Sequence, residues 1–85
     1  MKQFKHIVKA AEGIHARPAM MLMQFTKNLS SRVTVEYQGK SANAKNIMQL
    51  FALRANQGAE VTFFVEGGNE ASDVEKLEEF CRNNL

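Results

Sequence analysis

The sequence predicts an α+β fold, a four-stranded antiparallel sheet covered on one face by two long helices and one short helix in the order βαββαβα. Three observations predict it. Apolar and polar residues alternate with period two near residues 4–9, 32–37 and 60–66, as half-buried strands require. Apolar residues recur at helical spacing after Pro18 and again after Asn69. Finally, 85 residues with 45% hydrophobic content suffice for one small domain, residues 1–85, with one core and little room for a second site.

The first strand sets Phe4, His6 and Val8 on one face and Lys5, Ile7 and Lys9 on the other. His6 therefore shares a face with apolar neighbours and reads as a partly buried histidine. The two histidines come with no cysteine or carboxylate motif of metal-ligating spacing, so no metal is expected. Gly13 permits a tight turn and Pro18 is tolerated only in the first turn of a helix, so the helix from about Ala16 to Asn28 starts beside His15. Ala19, Leu22, Met23, Thr26 and Leu29 fall on its inward stripe, with Arg17, Met20, Met21 and Gln24 opposite. Flexible, polarizable methionines on a face expected to be hydrophilic suit docking, and Met20, one turn after His15, is a candidate contact.

Ser30-Ser31 connects to a strand from Arg32 to Tyr37 with Val33 and Val35 inward, and Gln38-Gly39 turns it into Lys40–Asn43 as a hairpin. Asn46 can cap a short helix through Leu53, where Leu50 and Leu53 face one way and Ile47, Met48 and Phe51 another. Two apolar faces on so short an element are difficult to bury in a small domain. Ile47, Met48 and Phe51 are therefore expected to form an exposed docking patch, the alternative being that they belong to the core. Glu60–Glu66 reads as a strand with Val61, Phe63 and Val65 inward, broken by Gly67-Gly68. Those glycines are a turn, since no phosphate-loop or dinucleotide frame surrounds them and no cofactor is expected. Asn69 can cap the last helix, where Glu70 and Asp73 suit the positive end, Val74, Leu77 and Cys81 face inward, and Glu75, Glu78 and Glu79 face solvent.

The chemistry is concentrated in Gly13-Ile14-His15-Ala16-Arg17-Pro18-Ala19. A helix start offers unpaired N–H groups and the positive end of a dipole, which together bind anions. Arg17 adds a bidentate donor for phosphate or carboxylate. An imidazole set in such a site can act as a nucleophile towards a phosphoryl group while the amides and Arg17 hold its oxygens. The plainer reading makes His15 a surface residue or cap. Glycine before it, arginine two after and proline three after are what a phosphate-holding turn needs and an ordinary cap does not.

The heptapeptide resembles the active-site signature of the HPr family, the histidine phosphocarriers of the bacterial sugar phosphotransferase system. Tyr37-Gln38-Gly39-Lys40, Ala44-Lys45-Asn46-Ile47-Met48 and Gln57-Gly58-Ala59-Glu60-Val61-Thr62 also resemble family segments, in order and along the whole chain. The resemblance implies an open-faced β-sandwich and a carrier that is not an enzyme. By the same resemblance, His15 is expected to take phosphate on Nδ1 from phosphorylated enzyme I, drawing ultimately on phosphoenolpyruvate, and to pass it to the A domain of a sugar-specific enzyme II. Ala16, Arg17 and Pro18 are then expected to border the phosphate, and Met20, Gln24, Ile47, Met48 and Phe51 to grip the partners. The family pattern is broken at Asn46, where many members from Gram-positive bacteria carry a regulatory serine.

A charge of +2 and a pI near 8.9 fit acidic partners but fall short of a nucleic-acid footprint. A ferredoxin-like RNA-binding domain shares nearly the same element order, but the stacking aromatics of such a sheet are missing. A regulatory module that binds the same partners without passing phosphate on is a further alternative, opposed by the presence of both His15 and Arg17. With no apolar run of membrane-spanning length and no signal peptide, the expectation is a cytoplasmic monomer that inserts in no membrane. Cys81 is the only cysteine and falls on an inward stripe, so it reads as a small core residue.

Overall fold

The computed structural model describes residues 1–85. Seven elements follow the expected order: β1 (Lys2–Ile7), α1 (Ala16–Lys27), β2 (Arg32–Tyr37), β3 (Lys40–Asn43), α2 (Ile47–Ala52), β4 (Glu60–Glu66) and α3 (Glu70–Asn84). The strands form one antiparallel sheet in the order β1-β4-β2-β3. Its register explains the alternation in the sequence, because residues opposite one another across a sheet share a face. Phe4 pairs with Phe63, Phe63 with Val35 and Val35 with Ala42, so one apolar row runs across all four strands. The Phe4 and Phe63 rings stack at 5.0 Å between centroids. The next row outward, Gln3, Phe64, Thr34 and Asn43, lies on the opposite face, which no helix covers.

The helices close the other face. Ala19 and Leu22 of α1, Leu50 of α2 and Leu77 and Cys81 of α3 are buried with Val33, Val35, Val61, Phe63 and Val65 in a single cluster. Burial raises the Cys81 thiol pKa to about 12, which leaves no thiolate for redox chemistry. Phe25 of α1 stacks on Phe80 of α3 at 4.5 Å. Met21 and Met23 are half-buried, so Met20 alone of the three is openly exposed.

Two expectations are corrected and one is extended. Asn69 precedes α3 but its side chain caps nothing; it donates to Ser30 Oγ at 3.2 Å, while Glu70 Oε1 accepts from the Gly67 amide. Asp73 does more than complement the helix dipole. It is buried, and its Oδ2 accepts from the Ser31 amide at 3.1 Å and the Ser31 hydroxyl at 2.6 Å, fastening α3 to the start of β2. On α2, Leu50 and Leu53 are buried as expected, but Ile47 and Phe51 are half-buried against the core and only Met48 stands clear. A two-turn helix lying on the core tilts its flanking side chains partly inward, so the exposed patch is smaller than its sequence suggests.

His6 is half-buried at the β1 edge, opposite Val61, with its Nε2 buried and without a hydrogen-bond partner. Desolvation lowers its pKa from 6.5; nearby Lys9 acts in the same direction, and a hydrogen bond with the Leu85 main chain opposes both.

Candidate functional site

The segment Gly13–Arg17 is held by its contact with the turn that follows α2. The Ile14 amide donates to Ala55 O at 2.8 Å, and both residues are wholly buried. Gly13, at φ +69°, lies so close to this turn that a Cβ would collide with the Ala55 carbonyl and come within 2.7 Å of Asn56 Cα. Glycine is thus needed here for space as well as for conformation. Below it, Val8 and the turn exchange two main-chain hydrogen bonds, Val8 N to Ala59 O at 2.8 Å and Gly58 N to Val8 O at 2.7 Å. Gln57 Nε2 donates to Lys9 O at 3.1 Å.

His15 is the N-cap of α1, with extended backbone at φ −134° and ψ 163°. Its side chain makes no capping bond, and the first turn holds no acidic residue, so no anionic group of α1 occupies the helix start. An α-helix cannot satisfy its first N–H groups internally, which leaves the amides of Ala16 and Arg17 as donors there. Pro18 is buried and has no N–H, so it shapes the turn rather than contributing a hydrogen bond. Ala16 sits at φ +49°, a left-handed conformation that costs a non-glycine residue about 1–2 kcal/mol. Arg54, at φ +54°, is a second such residue, directly before Ala55. Two of the chain's three non-glycine residues at positive φ therefore border the site, where backbone strain characteristically collects.

The imidazole is half-buried, and its Nε2 lies 3.3 Å from Asn56 Oδ1. Arg17 is exposed and has no carboxylate partner, the one ion pair of the chain joining the Met1 ammonium to Glu70 at 2.7 Å. The resulting surface presents an imidazole, two amides and a free guanidinium. It can bind an oxyanion and offer it a ring nitrogen.

The two hollows on the surface lie elsewhere, one beside Phe25 and Phe80 and the other among Ser30, Arg32 and Glu66. His15 stands on open surface, which suits a phosphoryl group delivered by another protein better than an enclosed small-molecule substrate. Met20, 47% exposed on α1, and Met48, 70% exposed on α2, project from two helices that pack on each other, with Gln24 exposed on α1. Asn46 caps α2 by accepting from the Gln49 amide at 3.2 Å. His15, Ala16, Arg17 and Pro18 lie together at the cap and first turn of α1. The sequence gives no sign of Asn56, 41 residues away and in no motif.

Residues 2–83 match the family model described as the PTS HPr component phosphorylation site. The chain is similar to HPr-C-His from Thermoanaerobacter tengcongensis, with a TM-score of 0.93 and 33% identity over 99% of this chain and 94% of that one. It is similar also to the phosphocarrier protein HPr from Bacillus anthracis, with a TM-score of 0.87 and 29% identity over 94% of this chain and 95% of that one. A third likeness is to Crh, the catabolite repression protein of Bacillus subtilis, seen as a swapped dimer. There the TM-score is 0.76 and the identity 36%, over 100% of this chain and 98% of that one.

Proposed function

The chain belongs to the HPr family of phosphocarriers, and we propose that it accepts a phosphoryl group on His15 from phosphorylated enzyme I and passes it to the A domain of a sugar-specific enzyme II. The observation that carries this is the union, at one uncapped helix start, of an accessible imidazole with an unpaired arginine. With Nε2 engaged by Asn56, the neutral ring offers its Nδ1 lone pair to phosphorus. The donor's bond to phosphorus breaks and its electron pair stays with the donor. The Ala16 and Arg17 amides and the Arg17 guanidinium hold the transferring oxygens. That grip must stay moderate, because a carrier has to release what it takes.

Met20, Gln24, Ile47, Met48 and Phe51 form the docking face in this reading, with Met48 as its most prominent contact. No cofactor or metal enters. The work takes place in the cytoplasm, and no helix of the chain is long and apolar enough to cross a membrane. The carrier acts as a monomer in this reading.

Likeness to Crh favours a second reading, a regulatory module that does not pass phosphate on. Incubation with enzyme I and phosphoenolpyruvate, followed by mass spectrometry, tests the first step. One acid-labile phosphate is expected, absent from His15→Ala. His15 makes no capping bond, so that variant should lose no more than about 1 kcal/mol of stability. Adding an enzyme II A domain then separates the readings, since only a carrier discharges its phosphate. Failure of the unmodified chain to gain phosphate would reject the carrier role.

A further inference from the structure

We propose that Asn56 is a positioning residue for His15: its Oδ1 accepts the Nε2 proton and holds the ring in the tautomer that leaves the lone pair on Nδ1. The inference rests on the carrier reading and adds to it a residue that belongs to no sequence motif. Four observations carry it. Asn56 Oδ1 lies 3.3 Å from Nε2, and the Asn56 side chain makes no other hydrogen bond. The Asn56 backbone is fixed, because its carbonyl accepts from the Ala59 amide at 3.0 Å and its neighbour Ala55 is buried and bonded to Ile14. Gly13 lets the two segments approach more closely than any side chain would allow. Finally, the ring makes no capping bond to its own helix, so the Asn56 contact is the one hydrogen bond its side chain makes.

A neutral imidazole carries its proton on one nitrogen and its nucleophilic lone pair on the other. Free in water it samples both tautomers, and only one of them leaves Nδ1 able to attack. An acceptor at Nε2 selects that form before the donor arrives. When Nδ1 bonds to phosphorus, the ring becomes cationic with the Nε2 proton still in place, and the same oxygen then stabilises the developing charge. The reverse orientation of the amide would donate to Nε2 and put the proton on Nδ1, silencing the nucleophile. Tautomer and reactivity are therefore set by one side-chain oxygen.

Nitrogen-15 NMR of the imidazole, at a pH where the ring is neutral, reads the tautomer directly and needs no partner protein. The unmodified chain should be predominantly Nε2–H. Asn56→Ala should drift towards the mixture of free imidazole, whereas Asn56→Asp, which only accepts, should keep the Nε2–H form. Asn56 is exposed, so both variants should fold, as circular dichroism will verify. With phosphorylated enzyme I, Asn56→Ala should slow phosphoryl transfer about fivefold, the worth of one hydrogen bond, at unchanged half-saturation. Predominance of Nδ1–H, a mixture untouched by Asn56→Ala, or an unchanged rate in that variant would each overturn the proposal. Failure of the unmodified chain to accept phosphate rejects the carrier reading instead, and the tautomer measurement distinguishes the two.

Discussion

Asp73 and Ser31 are joined by two hydrogen bonds to a single carboxylate oxygen, 2.6 Å from the Ser31 hydroxyl and 3.1 Å from the Ser31 amide. The carboxylate is buried at 4% exposure, so it must be satisfied by protein, and the link spans 42 residues. Removing it strands two buried donors. Asp73→Ala should lose about 2–3 kcal/mol of stability, read from urea unfolding, and Asp73→Asn, which keeps an acceptor, should lose less. Phosphate acceptance by the folded fraction should be unchanged, because the pair lies away from His15.

Met48 and Phe51 should separate docking from folding. Met48 is 70% exposed, so Met48→Glu should leave stability within about 0.5 kcal/mol and weaken enzyme I binding by about 2 kcal/mol. Phe51 is half-buried against the core, so Phe51→Glu should reduce binding and stability together. Calorimetric titration with enzyme I beside thermal unfolding checks both. A Met48→Glu chain that binds normally would place the docking face elsewhere.

Asn46 should make this chain blind to a kinase that phosphorylates this helix in HPr proteins. Its Oδ1 keeps the cap on Gln49, but an amide offers no hydroxyl to esterify. A phosphate there would bring about two negative charges beside Met48 and Phe51, which explains how a serine at this place could regulate docking. Incubation with that kinase and ATP should leave the chain unlabelled and label Asn46→Ser. Label on the unmodified chain, at Ser41 or Thr62 for example, would show that regulation has moved.

His6 should make stability sensitive to pH. Burial lowers its folded pKa below 6.5, so the unfolded chain takes the proton first. The stability present above pH 6.5 is therefore lost as pH falls towards the folded pKa, and the loss levels off once the folded form is protonated too. His6→Gln has no such group and should show a smaller drop between about pH 7.5 and about pH 5.5, measured as urea midpoints. An equal drop in both would assign the dependence to other groups.

The sequence announces what is local and conceals what is not. The βαββαβα order could be read because strand and helix periods depend on neighbouring residues, and the inward valines of β2 and β4 alternate accordingly. His15 and Arg17 were visible for the same reason, being packed into one heptapeptide with the glycine and proline that shape it. Asn56 and the partnership of Asp73 with Ser31 depend on pairs 41 and 42 residues apart, and nothing in a linear pattern marks them. The docking patch falls between these cases. Its residues follow from helical spacing, but how deeply Ile47 and Phe51 sink depends on the tilt of α2 over the core.

The junction between Ile14 and Ala55 also ties the chemistry to the course of folding. Helix α1 can form early from its own neighbours, yet the imidazole gains its orientation only when the turn after α2 closes on Gly13. The turn continues the pairing of β1 with β4, the first and last strands of the chain, through the two bonds between Val8 and the turn. Without that pairing His15 would still begin α1, but its ring would lack the Asn56 partner and sample both tautomers. In the carrier reading, full-speed phosphate acceptance should therefore depend on this long-range pairing as well as on helix formation, so that copies with only the helix in place accept phosphate more slowly.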